Sequence, residues 1–111
     1  MALRAWPWLM FSLLLPLAAQ AETVRYRCEA VYTPSRSVWV RNVALVHDDK
    51  RISVVLIDEQ PVYTFMVDGT RVFTSQDNER IAFDADKLTW WSNWRDMMTA
   101  NGRCEKTDAK N

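Results

Sequence analysis

Apolar and polar residues alternate along the segment that follows the N-terminal region. From residue 24 to residue 32, every second position is apolar, and the positions between them are mostly charged. A period of two is the period of a β-strand that buries one face. The alternation therefore predicts a first strand over residues 23–33, and it points Cys28 toward the core.

Short segments rich in β-branched and aromatic residues follow, and turn residues bound each of them. The further predicted strands are 37–46, 51–58, 62–67, 70–75, 80–84, 88–92 and a short last strand at 103–105. Asp68-Gly69 is the clearest hairpin signal, because the pair suits the positive φ values of a type I′ turn. Residues 94–100 are predicted either to make one or two helical turns or to continue as strand, and Asn101-Gly102 is predicted to turn.

Roughly seven or eight strands with short connections are typical of an all-β antiparallel meander. Parallel pairing requires long crossover connections, for which this chain has no room. We expect a small barrel or a strongly curled sheet, in which the first and last strands lie side by side. The predicted organisation is a single β-domain over residues 22–105, followed by a flexible polar tail over residues 106–111.

The first 21 residues have the three parts of a secretory signal peptide. Arg4 gives a positive start, an apolar stretch runs over residues 6–19, and Ala19-Gln20-Ala21 is a small-x-small cleavage pattern. A membrane-spanning helix would need about twenty apolar residues, more than this proline-containing stretch offers. We therefore expect a mature chain that begins at Glu22, is periplasmic or secreted, is soluble, and has no membrane span.

The chain has two cysteines, Cys28 and Cys104, near opposite ends of the predicted mature protein. In an oxidising compartment two thiols normally pair. The alternative, a redox-active or catalytic cysteine, usually has a second cysteine or a base close by in sequence, and neither is visible here. We predict a structural disulfide between the first and last strands. Such a bond closes a loop of about 77 residues, which contributes about 4–5 kcal/mol in the chain-entropy model.

Charge and composition exclude several classes of function. Fourteen basic residues balance fourteen acidic ones, which leaves no basic patch for nucleic acid. The two glycines cannot build a glycine-rich phosphate loop, and one histidine with two cysteines argues against a four-ligand zinc site. No cofactor and no metal are predicted.

Residues that could carry catalysis are few. His47, the only histidine, falls in a predicted turn, which is a poor place to preorganise a base. The acidic pairs also fall at predicted turns, where Asp is favoured for its local hydrogen bonds. These pairs are Asp48/Asp49, Asp58/Glu59, Asp77/Glu79 and Asp84/Asp86. A small carboxylate-based hydrolase is the remote alternative, and it requires two such carboxyl groups about 5–10 Å apart in one cleft. We predict that the protein is not an enzyme.

The aromatic segment over residues 88–94 is the most unusual feature of the chain. On a strand, Trp90 and Trp94 face one way and Trp91 faces the other. One set fills the core, and the other is either exposed or covered by residues 95–100. An exposed Trp is a common anchor for a protein partner or a sugar ring. The candidate binding residues are Trp91, Arg95 as its polar neighbour, and Trp39, for which burial under a loop is an equal alternative.

The first predicted strand contains Tyr26-Arg27-Cys28, and the second cysteine, Cys104, lies near the C-terminus. Together with the signal peptide and the strand-rich body, this arrangement resembles that of the small periplasmic inhibitors of C-type lysozymes. That family also shares a Ser-Gly-x-x-Tyr loop and an aromatic-Trp-x-Lys-Gly segment. Residues 74–77 and 88–95 lie at about the corresponding places, without the Gly and Tyr of the first or the Lys-Gly of the second. The resemblance implies the fold but does not transfer the inhibitory residues.

The sequence thus predicts an exported binding protein whose contact surface includes the segment 90–95. The resemblance implies a lysozyme-like enzyme as the partner. A protein partner is expected ahead of a glycan, and the oligomeric state stays open. The alternative is a structural or accessory envelope protein, which would expose an apolar patch beyond about 600 Å² as an isolated monomer.

Overall fold

The computed structural model describes residues 21–107. Within that range, buried and exposed side chains alternate along strands that form a single antiparallel sheet. No helix occurs within that range. The nine strands are β1 (Glu22–Thr33), β2 (Ser37–Asp48), β3 (Arg51–Ile57), β4 (Gln60–Pro61), β5 (Phe65–Asp68), β6 (Arg71–Gln76), β7 (Glu79–Asp84), β8 (Thr89–Trp94) and β9 (Met98–Thr107). The predicted signal peptide, apart from Ala21, and the last four residues of the predicted tail lie outside the described residues.

The strand order is β4-β3-β2-β1-β9-β8-β7-β6-β5, and every pair is antiparallel. The all-β prediction is therefore confirmed, with nine strands instead of seven or eight. The predicted fourth strand, 62–67, is shortened to β5, and the additional strand β4 forms at Gln60–Pro61, where a turn was predicted. β4 and β5 are the two edges of the sheet. The sheet curls into a half-barrel that is not closed by hydrogen bonds between those edges. Among the described residues, no helix is long and apolar enough to cross a membrane.

The first and last strands pair at the centre of the sheet, as predicted. Cys28 lies directly opposite Cys104 in the β1–β9 register, and the two form a disulfide. The prediction of a structural disulfide is confirmed. Lys106 and Thr107, assigned to the tail from the sequence, still belong to β9.

The prediction for the C-terminal segment needs correction. Arg95 and Asp96 have positive φ values and make the turn, so that no helical turn forms at residues 94–100 and β9 begins at Met98. The turn predicted at Asn101-Gly102 is wrong, because both residues lie inside β9. A Cβ at Gly102 would lie 2.2 Å from the Glu29 carbonyl oxygen. Glycine is needed there for close approach of two strands.

The hairpin predicted at Asp68-Gly69 exists, but its turn is shifted by one residue. Asp68 pairs with Arg71, which leaves Gly69 and Thr70 as the central residues, and only Gly69 of these has a positive φ, of 65°. Two consecutive residues with positive φ occur instead in other tight turns, for example Asp77-Asn78. Asp and Asn tolerate this conformation better than most other residues.

The core lies on the inner, concave face of the half-barrel. Alternate residues of β1 meet inward-facing residues of β2, β7 and β8, and Trp90 and Phe83 are the largest fully buried side chains. The ring of Tyr26 packs against that of Phe83, with 4.8 Å between centroids. The curl of the sheet is what brings these strands into one core.

Candidate functional site

The tryptophans of β8 face opposite sides of the sheet, as the strand period predicts. Trp90 is 1% exposed on the inner face, whereas Trp91 is 39% exposed on the outer, convex face. Trp94 lies on the inner face and is half-buried. The segment 95–100 therefore does not cover Trp91, which stays exposed on the outer face.

Trp91 is the centre of a row of residues that crosses seven strands on the outer face. The registers place each member opposite the next, in the order Val38, Val31, Asn101, Trp91, Ala82, Phe73 and Met66. We call these seven residues the outer row. At about 4.8 Å between strands, the row is about 29 Å long when it is measured along the curved sheet. Six of its seven residues are apolar, and the exposed large ones are Val31, Val38, Met66 and Trp91.

Two grooves lie along the outer row, and Trp91 forms a wall of both. The first has a volume of about 640 Å³, runs between Trp91 and Val38, and has Glu29 and Arg103 among its lining residues. The second has a volume of about 550 Å³ and extends from Trp91 to Met66, with Arg80 among its lining residues. An apolar row with charged neighbours can hold a partner surface, and Trp91 is positioned as its central anchor.

The three binding residues predicted from the sequence do not come together. Arg95 was expected beside Trp91, but its guanidinium lies over the ring of Trp94, 5.1 Å from the centroid. Trp39 lies opposite Ala30 on the inner face, while its neighbours Val38 and Val40 face outward. Trp39 is nonetheless 61% exposed, because it lies at the open mouth of the half-barrel.

Trp39 lines a pocket on the inner face, which we call the inner pocket. Its volume is about 370 Å³. Its lining residues come from the ends of β1, β2, β7, β8 and β9 and from the turn after β3, and they are Tyr32, Trp39, Arg41, Asp58, Glu79, Trp94 and Met98. These residues are far apart in the sequence, and the curl of the sheet brings them together.

The floor of the inner pocket is an ion pair that crosses the interior of the half-barrel. Arg41 is on β2 and Glu79 is at the start of β7, and three strands lie between them in the sheet. In a flat sheet these positions would be about 19 Å apart. The curl brings the Arg41 Nη1 atom within 2.9 Å of the Glu79 Oε1 atom.

Hydrogen bonds fix the Arg41 side chain in this floor. Its Nε donates to the Asp58 Oδ2 atom at 2.8 Å, and its Nη1 donates to Glu79 and to the Tyr32 hydroxyl. The Tyr32 hydroxyl donates in turn to the Glu79 Oε2 atom at 2.5 Å. The guanidinium also lies over the Trp90 ring, 4.7 Å from the centroid. Nη2 has no hydrogen-bond partner among residues 21–107.

The electrostatics of this cluster favour an ionised Glu79. Burial raises the pKa of Glu79, but hydrogen bonds from Ser92, Tyr32 and Arg41 and the positive charge of Arg41 together hold it below the ordinary value. Burial and the hydrogen bond to Glu79 raise the pKa of Tyr32. A carboxylate with a lowered pKa is a poor proton donor near neutral pH, so the cluster is suited to holding a charge in place.

Two of the acidic pairs seen in the sequence lie at opposite ends of β7, whereas Asp58 and Glu79, from two different pairs, share the inner pocket. Asp77 and Glu79 are at one end of β7, and Asp84 and Asp86 are at the other. The Asp84 Oδ1 atom accepts hydrogen bonds from the Thr70 hydroxyl and two backbone amides of its own turn. No three His, Cys, Asp or Glu side chains group around a possible metal position in the described range.

Sequence reasoning missed the inner pocket as a site. One signal was present: Arg41 interrupts the inward positions of β2, between Trp39 and Val43. A charged residue at an inward position needs a partner. The partner, Glu79, was 38 residues away and assigned to a turn.

The chain matches no protein-family model, and no curated protein and no solved structure matches it in sequence or fold comparisons.

Proposed function

We propose that the protein is an exported, non-enzymatic binding protein that holds a protein partner on the outer row. The observation that carries this proposal is the exposed apolar row centred on Trp91, with a groove on either side. Contiguous exposed apolar surface of this kind is typical of protein interaction sites. The disulfide supports export, since such bonds persist in oxidising compartments.

The dimensions of the outer row favour a protein over a small molecule. A row about 29 Å long along the curved sheet, at the 4.8 Å strand spacing, exceeds what a drug-sized ligand covers and is long enough for one side of a protein interface. The two grooves have charged residues of both signs beside them: Glu29 and Arg103 line the first, and Arg80 lines the second. A polar rim around an apolar centre is the usual anatomy of such an interface.

The carboxylates support a role without catalysis. Glu79 and Asp58, which share the inner pocket, both bond to Arg41. Asp58 also accepts a hydrogen bond from the backbone amide of Asn42. These bonds hold both carboxylates in place, and the lowered pKa of Glu79 makes it a poor proton donor near neutral pH.

A C-type lysozyme is the first partner to test. The segments that stand where the lysozyme inhibitors have their shared motifs both border the second groove: Thr74 and Ser75 line it from β6, and Trp91 lines it from β8. The motif residues differ, so inhibition here would use the outer row and not the family's loop.

The experiment is a titration of the oxidised mature chain, residues 22–111, into a cell-wall clearing assay with a C-type lysozyme. We expect the parent to inhibit, and we expect Trp91→Ser to need about thirtyfold more protein, because a central aromatic anchor contributes about 2 kcal/mol. The matched control is Tyr63→Ser, which removes a fully exposed aromatic side chain that lines neither groove and should leave inhibition unchanged.

Two results would count against the proposal in different ways. Absence of inhibition at about 100 µM, a concentration that detects even weak binding, would remove lysozyme as the partner. In that case the oxidised chain is used to capture periplasmic proteins, beside the same two variants. A protein captured by the parent and by Tyr63→Ser but lost with Trp91→Ser supports the outer row. Equal behaviour of Trp91→Ser and the parent in both assays overturns it.

The alternative is a structural or accessory envelope protein that depends on a partner chain for its stability. The same exposed row favours it. It predicts that the purified chain self-associates or unfolds on its own. A stable monomer in sedimentation, with a cooperative thermal transition, would exclude this alternative and leave the binding proposal standing.

A further inference from the structure

The inner pocket is a second site, on the opposite face from the outer row. We propose that it binds a neutral saccharide ring, which stacks on Trp39 and forms hydrogen bonds with the Arg41–Asp58–Glu79 cluster. This inference goes beyond the proposed protein partner and does not depend on it. Three features of the pocket carry it: an exposed aromatic plane, a fixed polar floor and a nearly balanced charge.

Trp39 supplies the aromatic plane. It is 61% exposed at the mouth of the pocket, although it belongs to the inner face that elsewhere forms the core. Its register neighbour on β1 is Ala30, a small residue that cannot cover an indole. Trp94 and Met98 add apolar wall. A sugar ring has an apolar face of C–H groups that can cover such a surface while its hydroxyls stay in reach of polar atoms.

Arg41 supplies a polar group that is already oriented. Its Nε and Nη1 atoms are held by Asp58, Glu79 and Tyr32, and its guanidinium plane rests on Trp90. The remaining terminal nitrogen, Nη2, has no hydrogen-bond partner within the described residues and can donate to a ligand. A group that does not have to be ordered on binding loses less entropy, which favours weak polar ligands such as saccharides.

The charges select a neutral ligand. Asp58 and Glu79 carry two negative charges against the positive charge of Arg41, and Arg95 stacks on Trp94 at the pocket wall. An anion would meet the two carboxylates, and an ammonium would meet the guanidinium. Hydroxyl groups both donate and accept, and they match this mixture of donors and acceptors. The volume of about 370 Å³ lies at the lower end of small-molecule sites and suits one or two rings.

The test is an NMR titration of the oxidised, ¹⁵N-labelled mature chain with three neutral probes: the N-acetylglucosamine trimer, cellotriose and maltotriose. We expect at least one probe to shift the indole N–H signals of Trp39 and Trp94 saturably and to leave that of Trp91 unmoved. Trp39→Ala should weaken the binding by about tenfold or more, since it removes the stacking plane. Trp39 is exposed, so this variant should fold.

A matched control and a charge control complete the design. Trp91→Ala should bind the probe as the parent does, because it lies on the other face. Glucosamine and glucuronate, which carry opposite charges, should bind more weakly than N-acetylglucosamine. The proposal is overturned if no probe gives saturable shifts up to about 10 mM, where even millimolar affinity would be visible. It is equally overturned if the shifts survive Trp39→Ala, or if a charged sugar binds best.

Discussion

Glu79 shows what a buried charge requires at the scale of a single residue. It is only 8% exposed, yet it is held by the Tyr32 hydroxyl and the Arg41 guanidinium. Removing one member of such a pair leaves the other charge buried without compensation. This usually destabilises the folded state more than replacing both partners by apolar residues does. The cluster therefore links the stability of the fold to the ionisation of one carboxyl group.

The pH dependence of stability follows from the lowered pKa of Glu79. A carboxyl whose pKa is lower in the folded state contributes stability above its unfolded value, near 4.5. That contribution is lost as the pH falls through the folded-state pKa. We expect Glu79→Gln to be less stable than the parent at neutral pH, and the difference to shrink below pH 4.5. Urea unfolding of both proteins at a series of pH values measures this.

Glu105→Gln is the matched control for that experiment, because it removes the same charge from a side chain that is 68% exposed on β9. It should follow the parent at every pH. A Glu79→Gln difference that stays constant across the acid range would mean that Glu79 ionisation does not contribute to the stability.

Asp84 holds a turn together at the other end of β7. Its Oδ1 atom accepts from the Thr70 hydroxyl and from the amides of Asp86 and Lys87. Asp84→Ala removes the charged acceptor of three part-buried hydrogen bonds, and it should cost about 1–3 kcal/mol in the free energy of unfolding. Asp84→Asn keeps one side-chain oxygen and should cost less. Equal urea midpoints for the parent and Asp84→Ala would contradict this role.

At the scale of elements, the sequence predicted best where a strand obeys a simple period. The alternation around Cys28 identified β1 and its buried face, and the opposite orientations of Trp90 and Trp91 followed from the same rule. The prediction failed at Asn101-Gly102, because a glycine that permits close strand approach has the same sequence signature as a glycine that turns the chain. Local pattern does not distinguish the two.

The inner pocket escaped prediction for a different reason. Arg41 and Glu79 meet only because the sheet curls across three intervening strands. Curl is a property of the assembled sheet, arising from twist accumulated over many strands, and no short window of sequence encodes it. The outer row could not be predicted from the sequence for the same reason. Trp91 was identified alone, but its partners Ala82 and Asn101 depend on the registers of three strands.

The close approach at Gly102 gives a prediction about β9. A Cβ there would lie 2.2 Å from the Glu29 carbonyl oxygen and 2.9 Å from the Ala30 Cα atom, and backbone atoms cannot move aside as side chains do. Gly102→Ala should destabilise the protein by about 1–3 kcal/mol or more, as overpacking does. Gly69→Asn is the control, since nothing lies within 4 Å of a Cβ at Gly69 and Asn tolerates its positive φ. Equal melting temperatures for the two variants would contradict the need for glycine at position 102.

At the scale of the whole molecule, the sheet consists of two meanders joined in the middle. β1–β4 form one, β5–β9 form the other, and the hydrogen-bonded junction between them is the β1–β9 pair. The outer edges, β4 and β5, are connected by the chain but do not pair with each other. Side chains also link the two meanders, among them the Cys28–Cys104 disulfide and the Arg41–Glu79 ion pair.

The central position of the disulfide makes its removal a test of this organisation. Cys28→Ala with Cys104→Ala should lower the free energy of unfolding by about 4 kcal/mol, because the bond closes nearly the whole domain into one loop. Domains of this size have only about 5–15 kcal/mol in total. We further expect hydrogen exchange to rise most at the amides of β1 and β9, and least in β6 and β7, which pair within one meander.

The controls separate the bond from the side chains. The parent protein, reduced and alkylated, should lose a similar amount of stability. Val72→Ala truncates another buried side chain of the same face, on β6 and away from the junction, and it should not raise exchange selectively in β1 and β9. If the double variant melts within about 2 °C of the parent, less than a 1 kcal/mol change would produce, the disulfide does not hold the two meanders together. Uniform exchange across all strands would instead mean that the sheet opens as one unit, with no weak junction for the bond to protect.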